Sequence, residues 1–428
     1  MDLFLLLLAL AGHAFLWIGL VNRLHSLGLR RWVVHLLTDA FFLLTGVIPL
    51  GIAAWVYVKR PEGLTIAPWR AGGGGGVNGL IVVYTIVCWA VASVTLLRLV
   101  WLRCLVRTPP LVRFHGKWPA KIDPRSAEFG VAETAHHLFT RLPLNEILRL
   151  EVSDWMLDVP RLAAALDGLS IVHLSDFHLT GRLGKAYFRE VVRISNELQP
   201  DLVALTGDLM ESRACFDWIP DTFAQLRARH GVYFVLGNHD LRTRDVPRLR
   251  RMLEQSGLID LGGRRRQVEI NCQPVVLMGN ERPWIKHDSP AACGFAGAGV
   301  PLLRRSSARS GPPPGTACEQ AVAHENEKHG VAALRIVLSH SPDQLGWARA
   351  QDADLMLAGH THGGQICIPP LGPIFSPSIW GVKHIAGVYY SPPTILHVTR
   401  GVSGDTPVRW RCPPEIARLR LFSAKPGR

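Results

Sequence analysis

Seven aspartate, asparagine and histidine side chains follow five short apolar runs in this 428-residue chain, and all seven are of types that bind metals. The runs are 171–174, 202–205, 232–236, 336–338 and 355–358, and the side chains that follow them are Asp176, His178, Asp208, Asn238, His340, His360 and His362. Short runs rich in Val, Ile and Leu and bounded by turn residues predict strands buried on both faces. Because ligands gather at the carboxyl ends of strands in an open α/β sheet, we expect the seven side chains to meet at one edge.

Taken singly, these motifs are weak evidence for chemistry. Asp-x-His arises often by chance, a lone buried histidine is usually a satisfied core residue, and Gly237-Asn238 also suits a turn with positive φ. Seven polar groups without partners at one edge would, however, be costly to desolvate. The set therefore predicts a metal site, and its size indicates two ions. Mixed histidine and carboxylate ligation favours Mn²⁺, Fe or Zn²⁺ over Ca²⁺.

The segments between the runs predict the helices that a parallel sheet requires. The pattern predicts helices at 184–198, 220–229 and 246–256, and further strands at 147–152, 275–278, 395–398 and 419–422. Strands that alternate with helices are typical of the α/β class.

The N-terminal quarter of the chain has the composition of a membrane region. Residues 3–21 are uncharged, a second apolar stretch lies between Arg31 and Lys59, and a third covers 79–97. Each is close to the roughly 20 apolar residues that a membrane helix needs. A cleavable signal peptide is the alternative for the first stretch, but Met1-Asp2 supplies no basic residue and Asn22-Arg23 is no small-residue cleavage site. We therefore predict three transmembrane helices.

The basic residues that flank these helices predict their orientation. With the N-terminus outside, nine basic residues fall on the inner side and three on the outer side. The positive-inside rule then places the C-terminal domain in the cytoplasm, at the inner membrane. The formal charge of +13 is concentrated in the same region, so it indicates topology and not a nucleic-acid partner.

Composition divides the chain into three parts. We predict a membrane region at 1–102, a basic connector at 103–145 and a globular domain at 146–428 with a flexible insertion at 286–333. The glycine run at 72–76 predicts a linker, since no strand precedes it as a phosphate-binding loop would require.

The motifs together resemble a known family. Asp176-x-His178, Gly207-Asp208, Gly237-Asn238-His239-Asp240, His340 and Gly359-His360-Thr361-His362 match in order the signature of the calcineurin-like metallophosphoesterases, over about 147–425. The forms LSDFH and GHTHGGQ are similar to its bacterial membrane-associated branch, which includes enzymes that cleave UDP-diacylglucosamine. The resemblance implies a four-layer αββα sandwich of two mixed sheets, here preceded by the transmembrane region.

The resemblance also implies residue roles. Asp176, His178 and His362 would hold one divalent ion, Asn238, His340 and His360 the other, and Asp208 would bridge them. His239 would act on protons at the leaving oxygen, with Asp240 orienting its ring; a cap on the turn is the alternative role for His239. Lys383 and Arg400 are either phosphate contacts or surface charges.

Three functions are consistent with these patterns. The first is a membrane-anchored, two-metal hydrolase of a phosphodiester or pyrophosphate bond in a phosphorylated, lipid-linked substrate. The second is a phosphodiesterase or nuclease for soluble substrates, which predicts a basic groove with interleaved aromatics; 176–280 has no such cluster. The third, a non-catalytic membrane sensor, predicts lost ligands, and none is missing.

Overall fold

The computed structural model describes residues 2–27, 29, 31–59, 77–104, 109–120, 143–286, 333–369, 371–404 and 406–424. They form two compact units. The first contains residues 1–107 and 369–382, and the second contains 108–368 and 383–428. The predicted linker at 72–76 and the insertion at 286–333, apart from its two end residues, lie outside the described residues.

The first unit contains three long apolar helices. They are α1 (Asp2–Ser26), α2 (Arg31–Lys59) and α3 (Val77–Cys104), and each is long and apolar enough to cross a membrane. Helices α1 and α3 approach closely at Gly12, where an added Cβ would lie 1.8 Å from the carbonyl oxygen of Cys88. Small residues permit such backbone contact between membrane helices. The three predicted spans are thus confirmed as helices of suitable length and apolarity.

A buried histidine connects the three helices. Pro49 lies inside α2 and has no N–H, so it leaves the carbonyl of Thr45 without its usual helical donor. His13 Nε2 lies 3.0 Å from that oxygen, and His13 Nδ1 lies 2.6 Å from the hydroxyl of Tyr84 in α3. Both contacts are hydrogen bonds if Nε2 donates to the Thr45 carbonyl and Nδ1 accepts from the Tyr84 hydroxyl.

The second unit is built on two sheets. The seven-stranded sheet has the order β1-β2-β15-β3-β4-β5-β6, and the six-stranded sheet has the order β13-β14-β10-β9-β8-β7. The strands are β1 (Val112–Pro119), β2 (Glu151–Val159), β3 (Leu169–Leu174), β4 (Leu202–Thr206), β5 (Val232–Val235), β6 (Ile259–Asp260), β7 (Arg265–Ile270), β8 (Gln273–Asn280), β9 (Leu334–Ser339), β10 (Leu355–Ala358), β11 (Cys367–Ile368), β13 (Gly387–Ser391), β14 (Thr394–Val398) and β15 (Glu415–Ser423), with β12 (Gly372–Pro373) in the first unit.

In the described part of this unit, three α-helices accompany the sheets, and an apolar cluster joins one sheet to the other. The helices are α4 (Lys185–Glu197), α5 (Val246–Gln255) and α6 (Leu345–Ala350). The core contains buried residues of both sheets, such as Ile171 and Leu419 from the first and Leu338 and Leu357 from the second. Parallel pairs β3–β4, β4–β5 and β9–β10 put their carboxyl ends at the same end of each sheet. The expected α/β fold with two mixed sheets is confirmed.

The structure corrects three local predictions. Val112–Pro119 falls in the predicted connector but pairs with β2 as an edge strand, so the sheet begins before residue 146. The first predicted strand, 147–152, begins instead at Glu151, because 143–150 form turns bonded to 407–412. The predicted helix at 220–229 is replaced by short 3₁₀ helices, Arg213–Asp221 and Phe223–Gln225, since Pro220 disrupts α-helical bonding.

Candidate metal centre

The five motifs converge at the carboxyl ends of β3, β4, β5, β9 and β10. The first three strands belong to one sheet and the last two to the other, so the candidate ligands meet across two sheets and not along the single edge that strand pattern alone predicted. Backbone hydrogen bonds connect the motifs: Asp176 N donates to Gly207 O at 3.0 Å, and His178 N donates to Asp208 O at 2.9 Å.

Two glycines permit this close approach. An added Cβ at Gly237 would lie 2.3 Å from Asp208 Oδ1, and one at Gly359 would lie 2.4 Å from Asp176 Oδ2. Any larger residue at either position would therefore displace a candidate ligand. Each of these two motifs therefore begins with glycine because a side chain there would overlap the carboxylate of a candidate ligand.

Five candidate ligands have left-handed backbone conformations. The φ angles of Asp176, His178, Asp208, His360 and His362 lie between 47° and 70°. Residues other than glycine rarely adopt this region, and such strain is concentrated at functional sites where the surrounding structure enforces it. The residues after these strands thus adopt backbone conformations that cost free energy and that packing alone does not require.

Six of the seven predicted ligands form two groups of three, and Asp208 belongs to the second. In the first, His362 Nε2 lies 3.4 Å from Asp176 Oδ1 and 3.2 Å from His178 Nε2. In the second, Asp208, His340 and His360 lie together. His340 Nε2 is 3.1 Å from Asp208 Oδ2 and 3.1 Å from His360 Nδ1.

The carboxylate of Asp208, a member of the second group, also faces the first group. Its Oδ2 is 3.7 Å from His178 Nε2 on one side and 3.1 Å from His340 Nε2 on the other. Its Oδ1 accepts the backbone N–H of His239 at 2.7 Å. Oδ2 is therefore the one oxygen of Asp208 that points between both sets of imidazole nitrogens.

The donor set fits divalent cations. Asp208 Oδ2 and Asn238 Oδ1 are buried acceptors with no hydrogen-bond partner among the described residues. Buried polar atoms are otherwise almost always paired, and a cation would satisfy both oxygens. Pairs of imidazole nitrogens that face each other at 3.1–3.2 Å are also the arrangement expected around a shared ion.

The electrostatics of the site support the same interpretation. Burial lowers the pKa of His178 and His340, but the neighbouring carboxylates Asp176, Glu211 and Asp208 outweigh it and raise the two values to about 10 and about 9. A field that binds protons this strongly also attracts a cation. Burial lowers the pKa of His362 to about 3, so its imidazole is neutral, as ligation requires.

Hydrogen bonds outside the two groups orient the imidazoles. His340 Nδ1 donates to the carbonyl oxygen of Thr206 at 2.7 Å, which directs Nε2 into the site. His178 Nδ1 contacts the carboxylate of Glu211 and is directed in the same way. Such outer contacts fix the tautomer and ring direction of ligating histidines.

The expected partner of the His239 ring was Asp240, but the structure places Glu211 there. His239 Nδ1 lies 2.8 Å from Glu211 Oε1, and His239 Nε2 lies 3.3 Å from Arg242 Nη2. The Asp240 carboxylate instead accepts backbone N–H groups of 208, 209, 210 and 237, so it holds the loops together. His239 also lies within 4.8 Å of ligand atoms of His178 and Asp208, so these three residues form a third group that could hold a metal ion.

Glu211 and Arg409 are functional candidates that the sequence analysis missed. Glu211 follows Asp208 by three residues, and that spacing was the available signal. Arg409 is fully buried, donates to the carbonyl oxygen of His362 at 2.9 Å, and has no local sequence signal. Arg400, predicted as a phosphate contact or a surface charge, is instead buried and paired with Glu415 and Glu151.

A family comparison agrees with this geometry. The model of the calcineurin-like phosphoesterase family matches residues 169–364, which include all seven predicted ligands. The chain contains a calcineurin-like phosphoesterase domain. The resemblance noted in the sequence is thereby confirmed, and the domain includes every strand end described above.

Individual relatives extend the similarity beyond the family model. A bovine transmembrane protein with metallophosphoesterase domain is 31% identical over 284 residues, 62% of this chain and 56% of the relative. The UDP-2,3-diacylglucosamine pyrophosphatase LpxG of Chlamydia muridarum is 27% identical over 310 residues, 64% of this chain and 90% of the relative. Phosphodiesterase YaeI of Escherichia coli is 25% identical over 255 residues, 59% of this chain and 81% of the relative. The chain spans about half the length of some curated relatives, with 58% for the zebrafish transmembrane protein and 44% for a putative metallophosphoesterase of Caenorhabditis elegans.

Proposed function

We propose that this protein is a membrane-anchored phosphoester hydrolase that uses two divalent ions to cleave a phosphodiester or pyrophosphate bond. The observation that carries the proposal is Asp208 Oδ2, a buried acceptor without a hydrogen-bond partner among the described residues, lying between two groups of imidazole nitrogens. Asp176, His178 and His362 would hold one ion, and Asn238, His340 and His360 the other. Mn²⁺, Fe and Zn²⁺ all suit this ligand set.

Two bound ions would supply a hydroxide near neutral pH and stabilise the charge on the phosphoryl oxygens. His239 then acts on the leaving group. Glu211 accepts from Nδ1, which leaves Nε2 as the ring atom that would deliver a proton to the departing oxygen, in place of its 3.3 Å contact with Arg242 Nη2. Arg242 lies beside Nε2 and adds a positive charge that attracts the anionic substrate.

The substrate that we propose is lipid-linked. Three apolar helices are joined to the phosphoesterase domain, and LpxG relatives are named for a pyrophosphatase activity on a diacylated sugar nucleotide. The chain would reside in the inner membrane, and the basic-residue count favours a cytoplasmic phosphoesterase domain. Membrane helices would keep the chain in the same bilayer as a substrate that carries acyl chains and a phosphate.

A substrate panel tests the proposal. The purified full-length chain with added Mn²⁺ is assayed on a lipid pyrophosphate, a lipid phosphodiester, a soluble phosphodiester and a monoester. We expect metal-dependent hydrolysis with preference for the lipid-linked esters. Equal or better turnover of the soluble diester would favour the second candidate, a phosphodiesterase of soluble substrates. Failure on every ester with either Mn²⁺, Fe²⁺ or Zn²⁺ would contradict the enzymatic proposal.

Turnover of esters with good and poor leaving groups distinguishes the role of His239 from that of the proposed metal ligands. His239→Ala should keep both ions and lower turnover by roughly 10²–10⁴, with a smaller loss on a nitrophenyl ester whose anion needs no proton. His360→Ala removes a proposed ligand, so its loss should be equal on good and poor leaving groups and partly reversed by excess metal. Metal loss in His239→Ala would assign His239 to an ion instead.

A further inference from the structure

An uncharged segment leaves the phosphoesterase domain soon after the last metal-ligand motif. Residues 371–382, called here the interfacial segment, have the sequence LGPIFSPSIWGV and contain no acidic or basic side chain. The segment begins nine residues after His362. Although it lies between strands of the phosphoesterase domain in the chain, it belongs to the compact unit formed by the three apolar helices.

Hydrogen bonds fix the interfacial segment to the last turns of two of these helices. The amide of Asn22 in α1 makes two contacts with it: Nδ2 donates to Ile374 O at 3.3 Å, and Oδ1 accepts from Ser376 N at 3.1 Å. Asn22 and Ser376 are both buried. Arg98 near the end of α3 donates to Trp380 O at 3.2 Å. The segment is therefore a folded part of this helical unit.

The same end of the helical unit carries exposed aromatic side chains. Trp32 at the start of α2 is 64% exposed, and Trp101 at the end of α3 is 51% exposed. The interfacial segment adds Trp380 at 47%, Ile379 at 41% and Phe375 at 39%. Tryptophan is enriched where membrane helices leave the hydrocarbon for the headgroups, because its ring is apolar while its N–H is polar.

We propose that the interfacial segment lies in the headgroup–acyl boundary of the bilayer, with Phe375, Ile379 and Trp380 in contact with lipid. Asn22 and Arg98 stand in the final turns of two predicted spans, at the depth where such a boundary begins. A bilayer is the occupant that these positions favour over a protein partner, since the segment continues the ends of the apolar helices and offers no charge for a specific protein contact.

This surface has a consequence for the substrate, and that consequence rests on the proposed function. The interfacial segment is joined by only eight residues to His362, so an ester whose acyl chains contact Phe375 and Trp380 is bound by a segment covalently connected to the proposed metal-binding motif. The segment would then select esters with acyl chains over water-soluble ones, while the metal site itself cleaves both.

Photo-crosslinking tests the lipid contact independently of any activity. A benzophenone amino acid is placed at position 380, 101 or 197 of the full chain, which is reconstituted in phosphatidylcholine vesicles and irradiated. Position 101 is the positive control, and position 197 lies on a charged face of α4 beside Glu190 and Arg193. We expect lipid adducts at 380 at a yield near that of 101 and roughly tenfold above that of 197. A yield at 380 no higher than at 197, or a protein adduct in its place, would overturn the proposal.

A matched pair of esters tests the selection of acyl chains. The soluble ester is bis(p-nitrophenyl) phosphate, and the anchored one is a diacylglycerol p-nitrophenyl phosphodiester in the same vesicles, so the leaving group is shared. The double variant Phe375→Ser, Trp380→Ser should lower the ratio of anchored to soluble turnover about tenfold, the effect of losing roughly 1.4 kcal/mol of apolar contact. Tyr390→Ser, which removes an exposed aromatic outside the segment, should leave that ratio unchanged.

The outcomes distinguish this inference from the proposed function. If the unmodified chain cleaves only the soluble ester, the lipid-linked substrate is wrong, and the crosslinking result still decides whether the segment contacts lipid. If it cleaves both and the double variant retains the full ratio, the segment does not select acyl chains and that part of the inference is overturned.

Discussion

Glu211 connects the proposed metal ligands to the proposed proton donor, so its replacement by glutamine tests how the site is held. One carboxylate receives His178 Nδ1, His239 Nδ1 at 2.8 Å and the Arg242 guanidinium. Burial raises the pKa of Glu211, but the contacts with the two histidines outweigh burial and hold the pKa below its usual range, so the group is ionised. Glu211→Gln keeps the size and one acceptor oxygen and removes the charge.

The expected loss follows from these contacts. A hydrogen bond to a charged group contributes about 1.5–3 kcal/mol. Both imidazoles contact Oε1, so a glutamine oxygen there loses the charge, and its NH₂ group then faces Arg242, from which it cannot accept. A loss of about 3 kcal/mol corresponds to roughly a 10²-fold decrease in turnover. Because His178 would also lose its orientation, the Mn²⁺ concentration for half-maximal activity should rise 10–100-fold, the usual range for an outer contact of a metal ligand.

The assay is turnover of bis(p-nitrophenyl) phosphate across a Mn²⁺ series, with metal content measured on the same samples. The matched control is Glu190→Gln, because Glu190 pairs with Arg193 on the surface of α4. Glu211→Asn and Glu211→Asp extend the series, and the aspartate should recover part of the turnover because it restores the charge. Full turnover of Glu211→Gln at saturating Mn²⁺, or an equal loss in the Glu190 control, would refute the assigned role.

Three further predictions concern other parts of the chain. Asp208→Asn should lower metal content and abolish turnover in a folded protein; two full metal equivalents by elemental analysis would contradict the bridging role. Burial lowers the pKa of His397 from 6.5 to about 4. Between pH 6.5 and 4 this imidazole therefore binds a proton in the unfolded chain and stays neutral in the folded chain. Stability should therefore fall with pH, by about 2 kcal/mol at pH 5, and urea unfolding of His397→Gln should lack this part of the loss. His13→Val removes the donor to the Thr45 carbonyl and one of the contacts of the Tyr84 hydroxyl, which keeps Trp17 as a donor, and should cost about 1 kcal/mol of stability in detergent. Leu10→Val at an exposed helix position should cost less.

The sequence by itself determined the family of the domain and the set of candidate ligands. Each candidate ligand directly follows an apolar run, and strand formation depends on those local runs, so Asp176 through His362 could be assigned without coordinates. Hydrophobicity and length likewise determine the three N-terminal helices, because an apolar stretch of sufficient length is itself the signal for a membrane span. Local patterns therefore predicted the ligand set, the α/β class and the helical unit.

Only the tertiary structure decided which groups act on one another. Glu211 and Arg409 support His239 and His362 through contacts between loops, and such contacts leave no periodic signal in the chain. Strand Val112–Pro119 and the segment 371–382 were missed for the same reason: the strand is defined by its partner β2, and the segment by contacts with Asn22 and Arg98 more than 270 residues away. Residues distant in sequence become neighbours only when the whole chain packs, and that packing selects the partners of the catalytic groups.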